Sequence, residues 1–293
     1  MNPLPVALVL SSTLMHAGWN LLARHERSET FFFRRMLAVV ALVGLVPIVV
    51  SETLLSEPFS PTVWICIGGS GFFCSLYFLF LARAYESADF TIVYPVARSL
   101  PVLLVAVGDL LCGRQPTAFG WLGMSLVMTG CFLAPLSSFR RFDLRSYMKP
   151  TSLWMILTAL ATVGYTLLDK TASEIIPPGP ASAARYGYLF FLVTYLFYVG
   201  VLALSSKRSE SPEKLGWKIP AAAGALNFSA YWLVLWAYQL SRHASYIVAF
   251  RQFSIVIGVV VAFGLYKEHG IAVRMTGTLM ITSGLVLIGL WGG

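Results

Sequence analysis

The sequence predicts an all-α integral membrane protein, with ten transmembrane helices arranged as two inverted five-helix repeats. Three observations carry that prediction. Of the 293 residues, 57% are hydrophobic and only 12% are charged, against about 25% charged in an ordinary soluble domain. The apolar residues gather into runs, each near the ~20 residues that a helix needs to cross a bilayer core of about 30 Å. The chain also matches itself at offsets of about half its length.

The runs lie at approximately 4–23, 31–50, 62–83, 90–111, 117–136, 151–170, 183–204, 219–240, 244–265 and 271–291. The first lacks the basic flank and small-residue cleavage site of a signal peptide, so it reads as a retained span. The longest polar connections, 137–150 and 205–218, are basic and too short for a separate soluble domain. Gly123, Gly130, Gly277 and Gly284 sit in the fifth and tenth runs, where small residues let helix backbones approach closely. Cys66, Cys74, Cys112 and Cys131 form no CxxC pair and read as buried free thiols rather than metal ligands.

The fourth run holds the strongest local signal, Tyr94-Pro95-Val96-Ala97-Arg98-Ser99-Leu100-Pro101. An arginine near the centre of a span costs at least about 2.5 kcal/mol on insertion, so Arg98 should face protein, water or a ligand. Pro95 and Pro101 each remove a backbone donor, and freed carbonyls at this depth are tolerated where they line a cavity. Thr91, Tyr94, Arg98, Val105 and Asp109 share one helical face. Either a packing kink with a structural ion pair or a ligand-facing helix accounts for this pattern.

The internal repeat appears in three registers. Shifted by 146, residues 16–24 fall on 162–170; shifted by 151, Arg34 falls on Arg185. Shifted by 154, residues 77–134 fall on 231–288 without a gap, placing Tyr77 on Tyr231, Gly123 on Gly277 and Gly130 on Gly284. In that register Ala97 meets Arg251 and Arg98 meets Gln252, so both fourth spans carry an arginine at nearly the same depth. The halves are 1–137 and 151–293, joined by a basic linker at 138–150. Five spans per half require the second half to be inserted upside down. Such inverted repeats are characteristic of secondary transporters, with the substrate site near the midplane.

Enzyme signatures are missing. There is no Walker loop, no HExxH and no GxSxG, and His243 and His269 stand isolated, so neither a cofactor nor a metal site is expected. The net charge of +8 resides in short loops between apolar runs and is not a nucleic-acid footprint.

Several motifs together resemble the drug/metabolite transporter superfamily, and within it the EamA-type ten-helix transporters. They are residues 16–20 (His-Ala-Gly-Trp-Asn), Arg34-Arg35, residues 81–85 (Leu-Ala-Arg-Ala-Tyr), residues 88–98 and Gly120-Trp121-Leu122-Gly123 with Gly130. The resemblance implies a carrier of amino acids, nucleotide sugars or other metabolites. It also implies that the first four helices of each half line a central cavity while the fifth packs outside. Two departures stand out. The Gly-Glu pair expected to close each fourth span is Gly113-Arg114 in the first half and Lys267-Glu268 in the second. His16 occupies the position at which related four-helix multidrug transporters carry a carboxylate.

The expected function is secondary transport, as exporter or exchanger, of small polar metabolites bearing a carboxylate or phosphate. Arg98 and Arg251 are the candidate anchors, because a guanidinium presents a fork of donors that matches those groups. Tyr94 and Gln252 would bond beside them, and Trp19, Asn20, Tyr165 and Thr166 would add polar wall. His16, Asp169 and Asp109 are the coupling candidates, with Asp109 expected to pair with an arginine of another helix. Arg34, Arg35, Arg83 and Arg185 lie near span ends, where long cations snorkel to the interface. Tyr77, Tyr231, Trp232 and Trp236 fit either a cavity wall or an interface belt. The partners expected are a small-molecule substrate and the bilayer of the inner cell membrane, with no nucleic acid, for a monomer or homodimer. A flippase of lipid-linked substrates is the alternative within transport; it requires a lateral opening. A membrane enzyme or receptor is the alternative outside it, and an enzyme requires a titratable cluster at an interface.

Basic residues also predict orientation. Of the 21 lysines and arginines, Arg98 and Arg251 are intramembrane, and only Arg114, Lys170, Arg185 and Arg242 lie on the side of the termini. The remaining fifteen lie on the opposite side, so that side is expected to be cytoplasmic and both termini external. The resemblance implies the reverse. An impermeant thiol reagent should therefore label a cysteine added at either terminus in intact cells. Labelling only after permeabilisation refutes the charge rule here.

Overall fold

In the computed structural model, described over residues 1–24, 29–55, 57–87, 90–134, 136, 138, 152–204, 216–266 and 271–292, the apolar runs are helical. The first half contains α1 (Pro3–Arg24), α2 (Glu29–Val43), α3 (Leu45–Val50), α4 (Pro61–Ser87), α5 (Phe90–Leu111) and α6 (Ala118–Leu133). A π-helical turn at Ser51–Leu55 extends α3. The second half contains α7 (Ser152–Ser173), α8 (Pro180–Leu204), α9 (Lys218–Leu240), α10 (Ala244–Arg251), α11 (Phe253–Tyr266) and α12 (Ile271–Trp291). Among the described residues, α4, α8, α9 and α12 are each long and apolar enough to cross a membrane; α2 with α3 makes a fifth if the bent pair is one span. Helices α1, α5 and α7 have 22 residues each, about 33 Å at 1.5 Å per residue. They dilute their apolar character with inward polar groups such as His16, Arg98 and Asp169.

Two spans depart from the straight helices expected of them. The second bends by 41° between α2 and α3. Gly44 leaves room there for the Tyr188 ring, which a Cβ would meet at 2.1 Å, while the Tyr188 hydroxyl donates to the Ala41 carbonyl at 2.6 Å. Pro47 removes a further backbone donor just beyond the bend. The apolar run from Ala244 continues as one helix through Val260, with a single tight turn at Gln252 between α10 and α11. By contrast α5 runs unbroken through Pro95 and Pro101. Prolines are accommodated within a bundle when neighbouring groups and local adjustment satisfy the freed carbonyls.

The helices pack in a regular set of pairs. Helix α6 lies on α12, α4 on α7 and α8, and α1 on α9, α10 and α11; α5 lies on α7 and α10, and α2 on α8 and α9. The α6–α12 crossing depends on glycine. A Cβ on Gly123 would lie 2.7 Å from the Gly284 carbonyl oxygen, and one on Gly130 would lie 2.5 Å from that of Gly277. Thus each glycine meets not its own counterpart in the 154-residue register but the counterpart of the other.

Helix α10 is short, wholly buried and held at both ends by α5. At its start, the Asp109 carboxylate accepts from the backbone N–H of Ala244 at 3.3 Å and of Ser245 at 2.8 Å. At its end, Arg98 Nη2 donates to the Arg251 carbonyl at 3.4 Å and to Ser254 Oγ at 2.7 Å. An acid at the N-terminus and a cation at the C-terminus both oppose the helix dipole. This corrects the expectation for Asp109. Its ion pair is with Arg114, 3.6 Å away and just beyond the same helix, rather than with an arginine of another helix. The turn at Gly113, with φ of 76°, lets the chain bring Arg114 back toward that carboxylate.

Two outcomes follow from this packing. Gly130→Ala should destabilise the protein by about 1–3 kcal/mol through overpacking against backbone. Gly68→Ala, where a Cβ would meet nothing within 4 Å, should be neutral or stabilising by up to about 1 kcal/mol. Equal thermal unfolding midpoints in detergent would show that α6 and α12 shift apart freely. Asp109→Asn keeps the side chain's shape but removes its charge, and should cost about 1–2 kcal/mol. An unchanged midpoint would leave the acid no part in holding α10.

Candidate functional site

Between the helices lies a cavity walled by α1, α4, α5, α7, α8, α9 and α10. Its polar groups are His16, Asn227 and the guanidinium groups of Arg98 and Arg251. The rings of Trp19, Tyr77, Tyr165, Phe190, Phe191 and Tyr231 make most of the remaining wall. No carboxylate is among the described lining residues. Two fixed positive charges in a low-dielectric wall without a lining acid favour an anion.

Each polar group is positioned by a specific neighbour. On α1, His16 Nδ1 accepts from Trp19 Nε1 at 2.9 Å, a bond made three residues apart along one helical face. The last turn of α10 places Arg251, whose guanidinium carbon lies 5.6 Å from the Tyr231 ring centre. That ring stacks on Phe190 with centres 5.1 Å apart and meets Tyr165 edge-on at 6.0 Å. The Tyr231 hydroxyl donates to the Asp169 carboxylate, whose other oxygen accepts from Tyr186 at 2.7 Å. Asp169 therefore stands directly behind the wall, one tyrosine away from Arg251.

Of the candidates read from sequence, Trp19, Arg98, Tyr165, Arg251 and His16 line this cavity together. Others lie elsewhere. Asn20 donates to the His16 carbonyl at 2.7 Å, and Gln252 donates to the Val248 carbonyl at 2.9 Å. Thr166 is buried outside the cavity wall. The Tyr94 side chain lies outside the described residues. Tyr77 and Tyr231 join the wall, whereas Trp232 donates to the Pro180 carbonyl at 2.7 Å, away from it. Arg34, Arg35, Arg83 and Arg185 stack near helix ends on Phe31, Trp217, Trp154 and Phe59. Arg185 also pairs with Glu52.

Sequence reasoning passed over Asn227, Phe190, Phe191 and Tyr186. Asn227 carried a usable signal as a lone amide in an apolar run. The two phenylalanines carried none, since they are indistinguishable from lipid-facing rings until α8 is docked. Among the described residues no group of three or more His, Cys, Asp or Glu side chains could hold a metal.

One end of the bundle is closed by charge. Arg114 makes two bonds to Glu174, at 3.0 and 2.8 Å, and Lys170 pairs with the same carboxylate at 3.0 Å. Lys170 also donates to the Tyr238 carbonyl at 3.0 Å, and His243 Nε2 bonds the Gln115 carbonyl at 3.0 Å. The ends of α5, α7 and α9 and the start of α10 are thereby tied together. Burial alone would raise the Glu174 carboxyl, but the bonds from Arg114 and Lys170 outweigh it and hold it below the usual range. Its contribution to stability is present above its ordinary titration range and is lost as pH falls through the lowered value.

Comparison with known proteins agrees with this architecture. A crystal structure of a protein superposes with a TM-score of 0.69 over 98% of each chain at 17% identity, a likeness of fold alone. A search of curated proteins returned no match. Residues 4–135 match the EamA-like transporter family. Helices of spanning length and composition, polar groups turned inward and this match together make the chain a multi-pass membrane protein whose residues 4–135 are similar to the EamA-like transporter family.

Proposed function

We propose that the protein is a secondary transporter of ten spans in two inverted halves, exporting or exchanging small polar metabolites that carry a carboxylate or phosphate. The observation that carries this reading is the pair of guanidinium groups in a cavity whose described lining holds no acid. Such a wall favours anions and disfavours the hydrophobic cations typical of multidrug exporters. We place the protein in the inner cell membrane, as a monomer or homodimer.

The packing pairs support two inverted halves. Counting α2 with α3 and α10 with α11 as single spans, exchanging each span with the one five later converts α4–α7 into α9–α1. The same exchange converts α4–α8 into α9–α2, and α5–α7 into the α10–α11 span on α1. The crossed glycine contacts of α6 and α12 obey it too, as a twofold axis requires residue i to meet j and j to meet i. Alternating access by rocking one bundle against the other would then have to part the Arg114–Glu174–Lys170 cluster to open that end.

For proton coupling, Asp169 is the better placed of the two protonatable groups in α1 and α7. It is reached from the cavity through one tyrosine hydroxyl, while His16 Nδ1 is engaged with Trp19. Asp109 is assigned to holding α10 rather than to coupling.

Proteoliposomes offered a mixture of labelled metabolites should accumulate carboxylates or phosphates and exclude hydrophobic cations. Arg251→Gln should lower uptake by at least about tenfold, the value of a lost charge-assisted bond, and Arg251→Lys by less. Asp169→Asn should retain exchange but lose accumulation driven by a pH gradient. Uptake that is indifferent to Arg251, or a preference for cations, refutes the reading.

A further inference from the structure

We propose that the transported anion is a carboxylate borne on a flat ring with no cationic group, and that His16 donates one of three hydrogen bonds to it. The proposal rests on the anion-transport reading for the location of the site. What it adds is the substrate's shape, the absence of an ammonium and a fixed role for His16.

An indole N–H can only donate, so the 2.9 Å bond from Trp19 requires a lone pair on His16 Nδ1. In the neutral ring the proton must then reside on Nε2. That nitrogen is buried at the cavity and has no hydrogen-bond partner among the described residues. Two other lining donors share this condition, Asn227 Nδ2 on α9 and Arg251 Nε on α10. Buried donors are rarely left unmet in a folded protein. Three donors from three helices therefore call for an occupant that supplies acceptors.

A carboxylate supplies about four lone-pair sites on two oxygens and is acceptor-only. Phosphate fits less well. It brings a further oxygen and up to a second charge, while Arg98 Nη2 is already engaged with Ser254 and the Arg251 carbonyl. An amino acid's ammonium would find no lining carboxylate among the described residues, since Asp169 is screened behind Tyr231. The remaining wall is aromatic, with Trp19, Tyr77, Tyr165, Phe190, Phe191 and Tyr231 presenting ring surfaces. Rings favour a flat apolar body by stacked and edge-on contact.

The test is calorimetric titration of the full-length protein in nanodiscs with benzoate, benzamide, acetate, phenylalanine and phenyl phosphate. Benzoate should bind at least about tenfold tighter than neutral benzamide or ringless acetate, and tighter than phenylalanine or phenyl phosphate. His16→Leu should weaken benzoate about tenfold, whereas His16→Gln, whose amide nitrogen replaces Nε2, should stay within about threefold. Long-range proton–nitrogen NMR of labelled histidine, assigned by the signal lost in His16→Gln, should show Nε2 protonated and Nδ1 bare.

The failures separate cleanly. No preference for benzoate over benzamide removes the anion site and with it the proposed function. Benzoate preference with an unaffected His16→Leu overturns only the role of His16. Tighter phenyl phosphate overturns the carboxylate, and equal phenylalanine overturns the exclusion of a cation; both leave anion transport standing. If His16→Leu does not fold, a proton found on Nδ1 overturns the donor assignment by itself.

Discussion

The structure depends most on the contact between α5 and α10, in which one long helix closes both ends of a short one. The first turn of α10 leaves backbone N–H groups without partners in their own helix, and in a bundle interior water does not supply them. Asp109 supplies acceptors at the first turn, and Arg98 supplies a donor at the last. The two lie eleven residues apart on α5, about 16 Å at 1.5 Å per residue, which spans α10 in antiparallel fashion. At the tight turn of Gln252 the Arg251 carbonyl thus keeps partners in Arg98 and Ser254. The last turn of α10 sets the Arg251 side chain in the cavity wall.

The same contact gives Arg98 two tasks. Its guanidinium lines the cavity and also bonds the Arg251 carbonyl and Ser254 at the turn between α10 and α11. Tyr231 has a similar double position. Its ring faces the Arg251 guanidinium while its hydroxyl bonds Asp169. Charge at the cavity and charge behind it are thus joined through one side chain. Double-mutant measurement is what would apportion such a network.

Around these groups the aromatic packing is dense and oriented. Tyr77, Tyr165, Tyr231 and Phe190 form a continuous chain of edge-on and stacked rings from α4 through α7 and α9 to α8. Such walls are stiff, because rings in contact cannot rotate independently, and they hold the few polar groups at fixed positions. At one end, the ion pairs among α5, α7, α9 and α10 complete the enclosure.

The sequence by itself determined the helical, membrane-embedded class, the positions of most helices and the glycine faces of α6 and α12. Composition, run length and small-residue spacing are properties of contiguous chain, and a bilayer allows few other solutions. It also singled out Arg98 and Asp169, since an ionisable group inside an apolar run is conspicuous wherever it finally points. It did not determine which polar groups meet. Gln252 and Asn20 read as cavity residues but spend their donors on nearby carbonyls, a choice of rotamer that spacing does not encode. The tight turn at Gln252 has no proline to announce it; Ser254 and Arg98, the latter 153 residues earlier, bond the Arg251 carbonyl there. Asp109 became a helix cap because the start of α10 docks against it. The two phenylalanines of α8 became cavity wall because that helix turns them inward. These outcomes belong to the tertiary structure, since each depends on which helix lies opposite.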